Sequence, residues 1–383
     1  MGSAGAAVAA TEAVGRGCAR LPALVAAALA LPGVVPRAAA EAAPETRVVT
    51  LRYLDYRDWQ PGARRMQVES PLLHLRLPLS EAYTLEGTVV HDAMSGASPL
   101  WHDTLSGASG LGVTDHRTAA DAKLRRYDEG GNVAIGIAGS SERDYRSQAA
   151  SFEVNRNESD GNRTWAFGIA ASDDRIDSVN GVATGERRRT FDVQFGVTQV
   201  WNADVVVTSS MSWSHGNGYY SDPYKPLDTR PRSRDVVAWL TRVIRHLPGS
   251  GAVARLAYRY LHDSFGASSH TLDAELAQPL GGGWTLAPRL RYYTQDAADF
   301  YRDPVFPQGY RPGGYYTADT RLSAFGAFTP GLWIEKRFAD GWSVDGRLEF
   351  YRQRSAWHLG GDGSPGLSPL SARWLSVGVT REF

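Results

Sequence analysis

Apolar and polar residues alternate along most of the chain, and this period of two constrains the fold more than any other feature. Residues 191–197 read FDVQFGV, and residues 342–350 place Asp345, Arg347 and Glu349 opposite a row of apolar residues. Successive side chains of a β-strand point to opposite faces, so the pattern predicts strands with one apolar and one polar face. No stretch after Val35 approaches the ~20 apolar residues that a transmembrane helix needs.

The strands are separated by breaks of two kinds that occur in turn. Tight turns rich in Gly, Asp and Asn, such as 128–132 and 281–283, are typical of connections between antiparallel neighbours. Longer polar segments are predicted around 58–64, 93–116, 143–147, 173–186, 215–233, 263–269, 296–319 and 355–370. This interleaving indicates an up-and-down sheet with the short turns at one end and the long loops at the other.

Sixteen strands fit between these breaks, which predicts an all-β transmembrane antiparallel up-and-down β-barrel of about 16 strands. Long loops would be extracellular and short turns periplasmic. The predicted strands begin near residues 47, 65, 83, 117, 132, 148, 163, 187, 204, 234, 252, 270, 284, 320, 342 and 371. The predicted number of strands has a margin of two. The segment 320–338 is long for one strand, and Pro71 and Pro78 interrupt the alternating pattern near 72–77.

A secreted soluble β-protein is the alternative fold, and two features favour the membrane barrel. Aromatic residues stand at strand ends, where the interfacial girdles of a membrane barrel lie: Tyr83, Trp165, Trp201, Trp284, Trp342 and Tyr351. The chain also ends in Phe383, at the close of an alternating strand. A terminal Phe is typical of Gram-negative outer-membrane barrels, where it is an assembly signal for the barrel assembly machinery.

The first 40 residues have the pattern of a cleavable secretory signal peptide. Arg16 and Arg20 precede an apolar run over 21–35, and the small residues of 38–40 form a cleavage site. We therefore expect a barrel over residues 41–383 in the outer membrane of a Gram-negative bacterium. A retained anchor is the alternative, although the apolar run is short for a membrane span.

Charge and cysteine content exclude several classes of protein. The 41 Lys and Arg residues are balanced by 41 Asp and Glu residues, so no basic excess indicates a nucleic-acid partner. The single cysteine, Cys18, excludes a disulfide scaffold, a zinc knuckle and iron–sulfur or covalent haem attachment. We expect no cofactor, and outer-membrane lipid is the partner that the barrel itself implies.

The polar strand faces would line the lumen if the apolar faces meet lipid. Eight charged residues are the candidates for that lining: Arg255, Arg259, Asp273, Glu275, Arg289, Arg291, Arg347 and Glu349. One interpretation is a charged constriction that selects a solute. The other, which the alternation of signs favours, is a wall braced by ion pairs, with Arg255 and Arg259 against Asp273 and Glu275. The two interpretations are compatible.

The loops contain no decisive catalytic or metal-binding pattern. His91-Asp92, His102-Asp103 and Asp115-His116 cluster in 91–116, but their spacing matches no zinc site. Ser214 and His215 are adjacent and would face opposite ways on a strand, so they form no catalytic pair by themselves. Two rigid aromatic loops, 221–232 and 299–304, fit three roles: a plug inside the lumen, a binding surface for a partner, or an ordered surface loop without a ligand. We therefore predict no catalytic residue and no metal ligand.

Several collinear motifs resemble a family of proteobacterial envelope proteins that is known only as a domain of unknown function. They are YLDYRD at 53–58, SGASP at 95–99, SDPYK at 221–225, YRY at 258–260, DSFG at 263–266, AADFY at 297–301 and RLSAFG at 321–326, together with Phe383. The resemblance runs from about Arg47 to the end of the chain. It implies an outer-membrane β-barrel and brings no substrate, catalytic residue or cofactor. Members of this family are encoded near periplasmic thioredoxin-like and flavin-transferring proteins. The resemblance therefore implies periplasmic redox proteins as partners.

Three functions fit these observations. The first is a porin-like channel or export conduit with a charged lumen, since sixteen strands enclose a space wide enough for water and small solutes. The second is a barrel scaffold or sheath for a periplasmic redox partner. The third, and least favoured, is an outer-membrane hydrolase, which would need a Ser and a His together near one rim.

Overall fold

The structure, a computed structural model, describes residues 43–96, 113–225, 227–303 and 313–383. Sixteen antiparallel strands close into one barrel, in which each strand pairs with its neighbours in sequence and the first pairs with the last. The strands are β1 Val48–Gln60, β2 Ala63–Ser80, β3 Tyr83–Gly96, β4 Val113–Asp128, β5 Gly131–Ser141, β6 Tyr145–Asn157, β7 Arg163–Ile176, β8 Glu186–Asn202, β9 Val205–Gly218, β10 Ser233–Leu247, β11 Ala252–Asp263, β12 Ser268–Gly281, β13 Trp284–Gln295, β14 Phe325–Arg337, β15 Trp342–Arg354 and β16 Leu370–Glu382. The predicted up-and-down barrel of sixteen strands is confirmed.

Helical structure in the described ranges is confined to two single 3-10 turns, Thr320–Leu322 and Ser355–Trp357. No helix in these ranges is long and apolar enough to cross a membrane. The predicted signal peptide, residues 1–40, lies outside the described residues.

Most strand starts agree closely with the sequence, and the largest difference has a local cause. β14 begins at Phe325, five residues after its predicted start. Asp319 caps the preceding 3-10 turn, because its carboxylate accepts a hydrogen bond from the backbone N–H of Arg321. This local hydrogen bond competes with the hydrogen bonds of the β-ladder, so β14 begins later in the chain.

The doubtful segment around Pro71 is part of β2. Pro71 lies opposite Tyr53 of β1. On its other side the pairing with β3 is interrupted, because it includes Glu69 and Leu72 but skips Pro71. Proline has no N–H to donate, so the ladder is interrupted on that side while the strand continues.

Loop lengths differ from the prediction at three places. The segments expected to be long around 58–64, 143–147 and 263–269 are short connections of residues 61–62, 142–144 and 264–267. Pro61 followed by Gly62, with φ of 78°, is the residue pair of a tight type II turn. The remaining connections at that end, 97–112, 177–185, 219–232, 296–324 and 355–369, are the long ones.

The outer face of the barrel is covered with exposed apolar side chains. Ile137 is 68% exposed, Leu51 59% and Phe195 51%, and residues of this kind recur on nearly every strand. A soluble protein rarely exposes so large a continuous apolar surface, whereas a transmembrane barrel presents one to lipid. The alternative of a soluble β-protein is therefore wrong.

Aromatic residues ring the end of the barrel that carries the short turns. Five of the six predicted girdle residues are exposed there: Tyr83, Trp165, Trp201, Trp284 and Trp342. The sixth prediction, Tyr351, is wrong, since its side chain packs on the inner face against the buried Tyr56 and Trp374 cluster. Strand parity decides this, because Tyr351 follows Arg347 and Glu349 at a spacing of two.

The inner face carries ion pairs that reach across an intervening strand. Arg289 of β13 contacts Glu349 of β15 at 3.3 Å between Nη1 and Oε1. The strand between them, β14, presents Gly331 in the same row, opposite both residues. A Cβ at Gly331 would stand 2.7 Å from Cγ of Glu349, so the absence of a side chain makes room for the pair. Trp374 anchors the same carboxylate, with Nε1 donating to Oε2 at 2.6 Å.

The same arrangement recurs elsewhere on the inner face. Arg52 of β1 donates to Asp345 of β15 at 2.8 and 2.9 Å, across Gly378 of β16. Side chains on the inside of a closed sheet converge, which is why strands two apart are within reach of one another. Small residues on the middle strand are thus a requirement of the charged inner face.

We expect Gly331→Ala to destabilise the barrel, because the new methyl group displaces Glu349 from Arg289 and Trp374. Overpacking of this kind destabilises by about 1–3 kcal/mol. The midpoint temperature at which the folded band on a gel converts to the unfolded band should fall. Gly346→Ala is the matched control, since its Cβ would face outward and meet only Ile334 Cγ2, at 3.8 Å. Equal effects of the two substitutions would contradict this account.

Candidate functional site

The eight charged residues predicted for the lumen lie on the face opposite the exposed apolar side chains. They come from β11, β12, β13 and β15, and strand pairing places them in adjacent rows. These residues are Arg255, Arg259, Asp273, Glu275, Arg289, Arg291, Arg347 and Glu349. Their use by a solute is a question of function and is taken up below.

Ion pairs fix most of this wall, although the partners differ in part from the predicted ones. Arg255 contacts Glu275 at 2.6 Å, as expected for directly opposed residues. Asp273, predicted to brace β11, is instead bound from β13 by Arg289 at 2.7 Å and Arg291 at 2.9 Å. Arg291 lies directly opposite Asp273, and Arg289 opposite Glu275, so both guanidinium groups reach that carboxylate from one strand.

Some of these inward-pointing side chains are partly exposed to solvent. The side chain of Arg255 is 32% exposed and that of Asp273 is 21% exposed, although both point inward. Charged groups in contact with water keep much of their hydration, so a wall of this kind is stable only around a wet space.

One inward-facing cation was missed by the sequence reasoning. Arg242 of β10 lies opposite Ala257, in the same face as Arg255 and Arg259. The sequence hides it because β10 has apolar residues on both faces, with Val236, Val237, Ala238, Trp239 and Leu240 in succession. The alternation that assigns faces elsewhere is absent from this strand.

The connection between β9 and β10 crosses the mouth of the barrel. We call residues 219–225 and 227–232 the crossing segment. The Tyr224 hydroxyl donates to Asp144 Oδ2 at 2.7 Å, in the β5–β6 connection. Thr229 exchanges two backbone hydrogen bonds of 2.9 Å with Tyr316, in the β13–β14 connection. These two connections are eight strands apart in a ring of sixteen, so one segment joins opposite sides of the mouth.

A buried ionic cluster holds the crossing segment to the β13–β14 connection. Asp319 is fully buried, and its carboxylate contacts Arg230 at 2.9 Å, Lys225 at 3.1 Å and the guanidinium of Arg321. Arg230 is also bound by both oxygens of Asp228 at 2.8 Å. Charge-assisted and bidentate contacts of this kind are strong and directional, so they fix the segment in one position.

The crossing segment enters the barrel at its first residues. Tyr220 lies under the guanidinium of Arg188, an inward-facing residue of β8, at 5.2 Å from the ring centre. Its hydroxyl occupies the space where Gly216 of β9 would carry a Cβ. Phe265 packs edge-on against the same ring at 5.7 Å. The aromatic ring therefore rests on the inner wall.

Three acidic side chains meet where the start of β4 lies beside the β5–β6 connection. One oxygen each of Asp115, Glu142 and Asp144 lies within 4.8 Å of the others, a grouping that sequence spacing does not predict. Carboxylate oxygens are ligands for hard cations. Burial raises the pKa of Asp144; the hydrogen bond from Tyr224 opposes that rise, and the nearby charge of Asp115 adds to it.

The predicted His-Asp pairs do not assemble a site in the described part of the chain. His91 stacks on His116 on the outer face, whereas Asp92 binds Arg117 on the inner face. His102-Asp103 lies outside the described residues. Adjacent residues of a strand face opposite ways, which separates each His from its Asp.

The remaining candidates have simple placements. His215 contacts Asp235 at 2.9 Å, while Ser214 projects to the other face of β9 and bonds with Asp192. Phe383 follows β16, and its backbone N–H donates to the carbonyl of Arg47 at 3.0 Å beside the first strand. Its role as an assembly signal stays a prediction.

Asp319→Asn is expected to loosen the crossing segment while the barrel stays folded. Removing one partner from a buried ionic cluster destabilises by about 3–5 kcal/mol, here confined to the connections. Proteinase K should cut within 219–232 much faster than in the wild type. Asp296→Asn removes an exposed carboxylate that pairs with His358 and is the control. Unchanged protection in Asp319→Asn would contradict a role for the cluster in fixing the segment.

Asp144→Asn is expected to stabilise the protein at pH 8. The folded state raises the pKa of Asp144, so the ionised carboxylate destabilises the folded protein. This destabilisation is fully present above the folded-state pKa and disappears as the pH falls below it. The gain should shrink toward pH 4, where the wild type takes up the proton itself. Gel-conversion midpoints at both pH values measure this. A variant less stable than the wild type at pH 8 would indicate that the charge is bound, as by a cation.

Comparison with known proteins agrees with this architecture. The model of the family described as "Protein of unknown function (DUF3570)" matches residues 21–110, 103–187 and 182–374. No curated protein matches the chain.

Among solved structures, a "Bacterial polysaccharide outer membrane secretin" superposes with a TM-score of 0.50 at 10% identity, over 88% of this chain and 98% of that one. The siderophore receptor PirA from Pseudomonas aeruginosa superposes with a TM-score of 0.44 at 10% identity, over 88% of this chain and 80% of that one. A Pseudomonas aeruginosa FadL homologue superposes with a TM-score of 0.40 at 10% identity, over 88% of this chain and 89% of that one. At 10% identity the likeness to the secretin concerns the fold alone, which is that of an outer-membrane barrel.

The matched segments span most of the chain, so the resemblance seen in the sequence is confirmed. The chain belongs to the DUF3570 family and has the architecture of a Gram-negative outer-membrane β-barrel.

Proposed function

We propose that this protein is a solute channel of the outer membrane whose mouth at the loop end is narrowed by the crossing segment. The observation that carries the proposal is the bond pattern of that segment, which joins Asp144 on one side to Tyr316 on the other. A segment anchored at both sides of a barrel mouth restricts passage and leaves the wall behind it free to line a lumen.

The character of the inner wall supports passage of polar solutes. Arg255, Glu275 and Asp273 are partly exposed and face inward, so water contacts charged groups along the wall. Pore selectivity depends on such charged linings.

The direction of transport and the partners are predictions that accompany this proposal. An export conduit uses the same lumen as an uptake channel. The lipid partner follows from the apolar outer face, while recognition by the barrel assembly machinery through Phe383 is a further prediction. A periplasmic redox partner would dock on the short-turn rim, where the turns 129–130, 203–204 and 282–283 lie.

Hydrolysis is not part of the proposal. Its best candidate pair, Ser214 and His215, points to opposite faces of β9, and His215 is engaged by Asp235. Transport through the lumen needs no such pair.

The test is the conductance of the refolded protein in planar bilayers, after a gel shift has shown that it is folded. We expect a small conductance from the wild type and a several-fold larger one after residues 221–230 are replaced by a Gly-Ser segment. The physical reason is that pore conductance is limited by the narrowest point. A Gly-Ser replacement of 248–251, at the other end of the barrel, is the control and should leave the current unchanged.

Folded barrels without current in both the wild type and the loop replacement would overturn the channel proposal. A large wild-type current that the replacement leaves unchanged would retain the channel and remove the crossing segment as its constriction.

A further inference from the structure

The inner wall of β10 and β11 gathers cations around one small residue. Ala257 faces inward between Arg255 and Arg259 on the same strand, and Arg242 of β10 lies directly opposite it. Three arginines therefore project inward from positions next to one whose own side chain is only a methyl group.

The carboxylate on the neighbouring strand is already bound by other arginines. Asp273 of β12 lies opposite Ala257 on the other side, but Arg289 and Arg291 of β13 bind its two oxygens. Glu275 is in turn bound to Arg255. The side chain of Arg242 is partly exposed, and within the described residues it forms no ion pair or hydrogen bond; Asp273 attracts it only at longer range.

A guanidinium group without a partner on a wet wall has a clear chemical preference. Its planar fork matches carboxylate and phosphate oxygens and binds them with two parallel hydrogen bonds. Three arginines that point inward here, Arg255, Arg289 and Arg291, are paired with Glu275 or Asp273. Arg242 adds a further positive charge to the same wall, and within the described residues no carboxylate contacts it directly.

We propose that this wall is an oxyanion-binding site in the lumen, centred on Arg242, and that the solute carries a carboxylate or phosphate group. This inference rests on the proposed channel function and adds the class of solute to it. The site lies on the barrel wall below the crossing segment, so an anion meets it after passing the mouth.

Strand β10 offers a matched pair of substitutions. Arg242 faces inward and has no ionic partner, so Arg242→Gln removes a charge from the site without breaking a pair. Arg245 lies three residues further along, on the outer face, and is exposed. Arg245→Gln removes the same charge from the same strand outside the lumen. Both variants should fold, which the gel shift checks first.

The first measurement is the reversal potential in a KCl gradient, using the wild type or, if its mouth is closed, the 221–230 replacement. We expect anion selectivity, with the chloride-to-potassium permeability ratio falling about two-fold or more in Arg242→Gln and unchanged in Arg245→Gln. Selectivity should also weaken between 0.1 M and 1 M KCl, because the screening length falls from about 10 Å to about 3 Å.

The second measurement distinguishes the two sources of an oxyanion. Citrate supplies carboxylates and inorganic pyrophosphate supplies phosphates, and each is titrated against the current. The compound that blocks at the lower concentration identifies the preferred group, and Arg242→Gln should weaken that block about tenfold, as expected for loss of a bidentate charged contact. Cation selectivity, or equal behaviour of the two Arg→Gln variants, would overturn the anion site while leaving the channel in place.

A barrel that conducts in neither form overturns the channel proposal and still leaves the site open to test. Calorimetric titration of pyrophosphate and citrate into the folded protein in detergent then decides. Binding by the wild type that weakens about tenfold in Arg242→Gln but not in Arg245→Gln supports the site. No binding, or equal binding by both variants, overturns it.

Discussion

The pairing of β1 with β16 is the constraint on which the rest of this structure depends. A strand edge left open in lipid would expose unpaired backbone groups at a cost of several kcal/mol each, so the sheet must close. Twelve residue pairs, from Val48 with Glu382 to Trp59 with Ser371, make that closure. Side chains reinforce it, with the hydroxyls of Thr50 and Thr380 at 2.9 Å and the Tyr56 and Trp374 rings stacked at 6.2 Å.

Closure gives the two faces of the sheet opposite geometries, and the charged residues follow from that. Outward side chains diverge into lipid, so the outer face is apolar. Inward side chains converge, so Arg289 reaches Glu349 and Arg52 reaches Asp345 over a strand that contributes only glycine at the crossing. The wall is thus charged and braced by ion pairs, and the selection of a solute by these residues stays a proposal.

The mouth is organised by a different principle from the wall. Its order comes from a few buried charges, above all Asp319, and from one segment long enough to reach both sides. A buried carboxylate with three cationic partners is expensive to form and highly specific in geometry. It suits a segment that must hold one position over an open space, where only small apolar clusters, against which Tyr219 and Tyr220 pack, assist it.

The sequence by itself determined the barrel, the number and direction of its strands, and the inward face of the eight charged residues from β11 to β15. It could do so because a strand's side chains alternate strictly, so local parity assigns every residue to a face. Parity was silent for Arg242 on the doubly apolar β10, and the bonds of Asp319 and Asp144 join distant parts of the chain. For Tyr351 parity did give the inner face, and the prediction failed because it rested on the position of the residue near a strand end. Only the tertiary structure decided which charges meet and what crosses the mouth, because the partners come from strands and connections up to half a barrel apart and no local pattern records that distance.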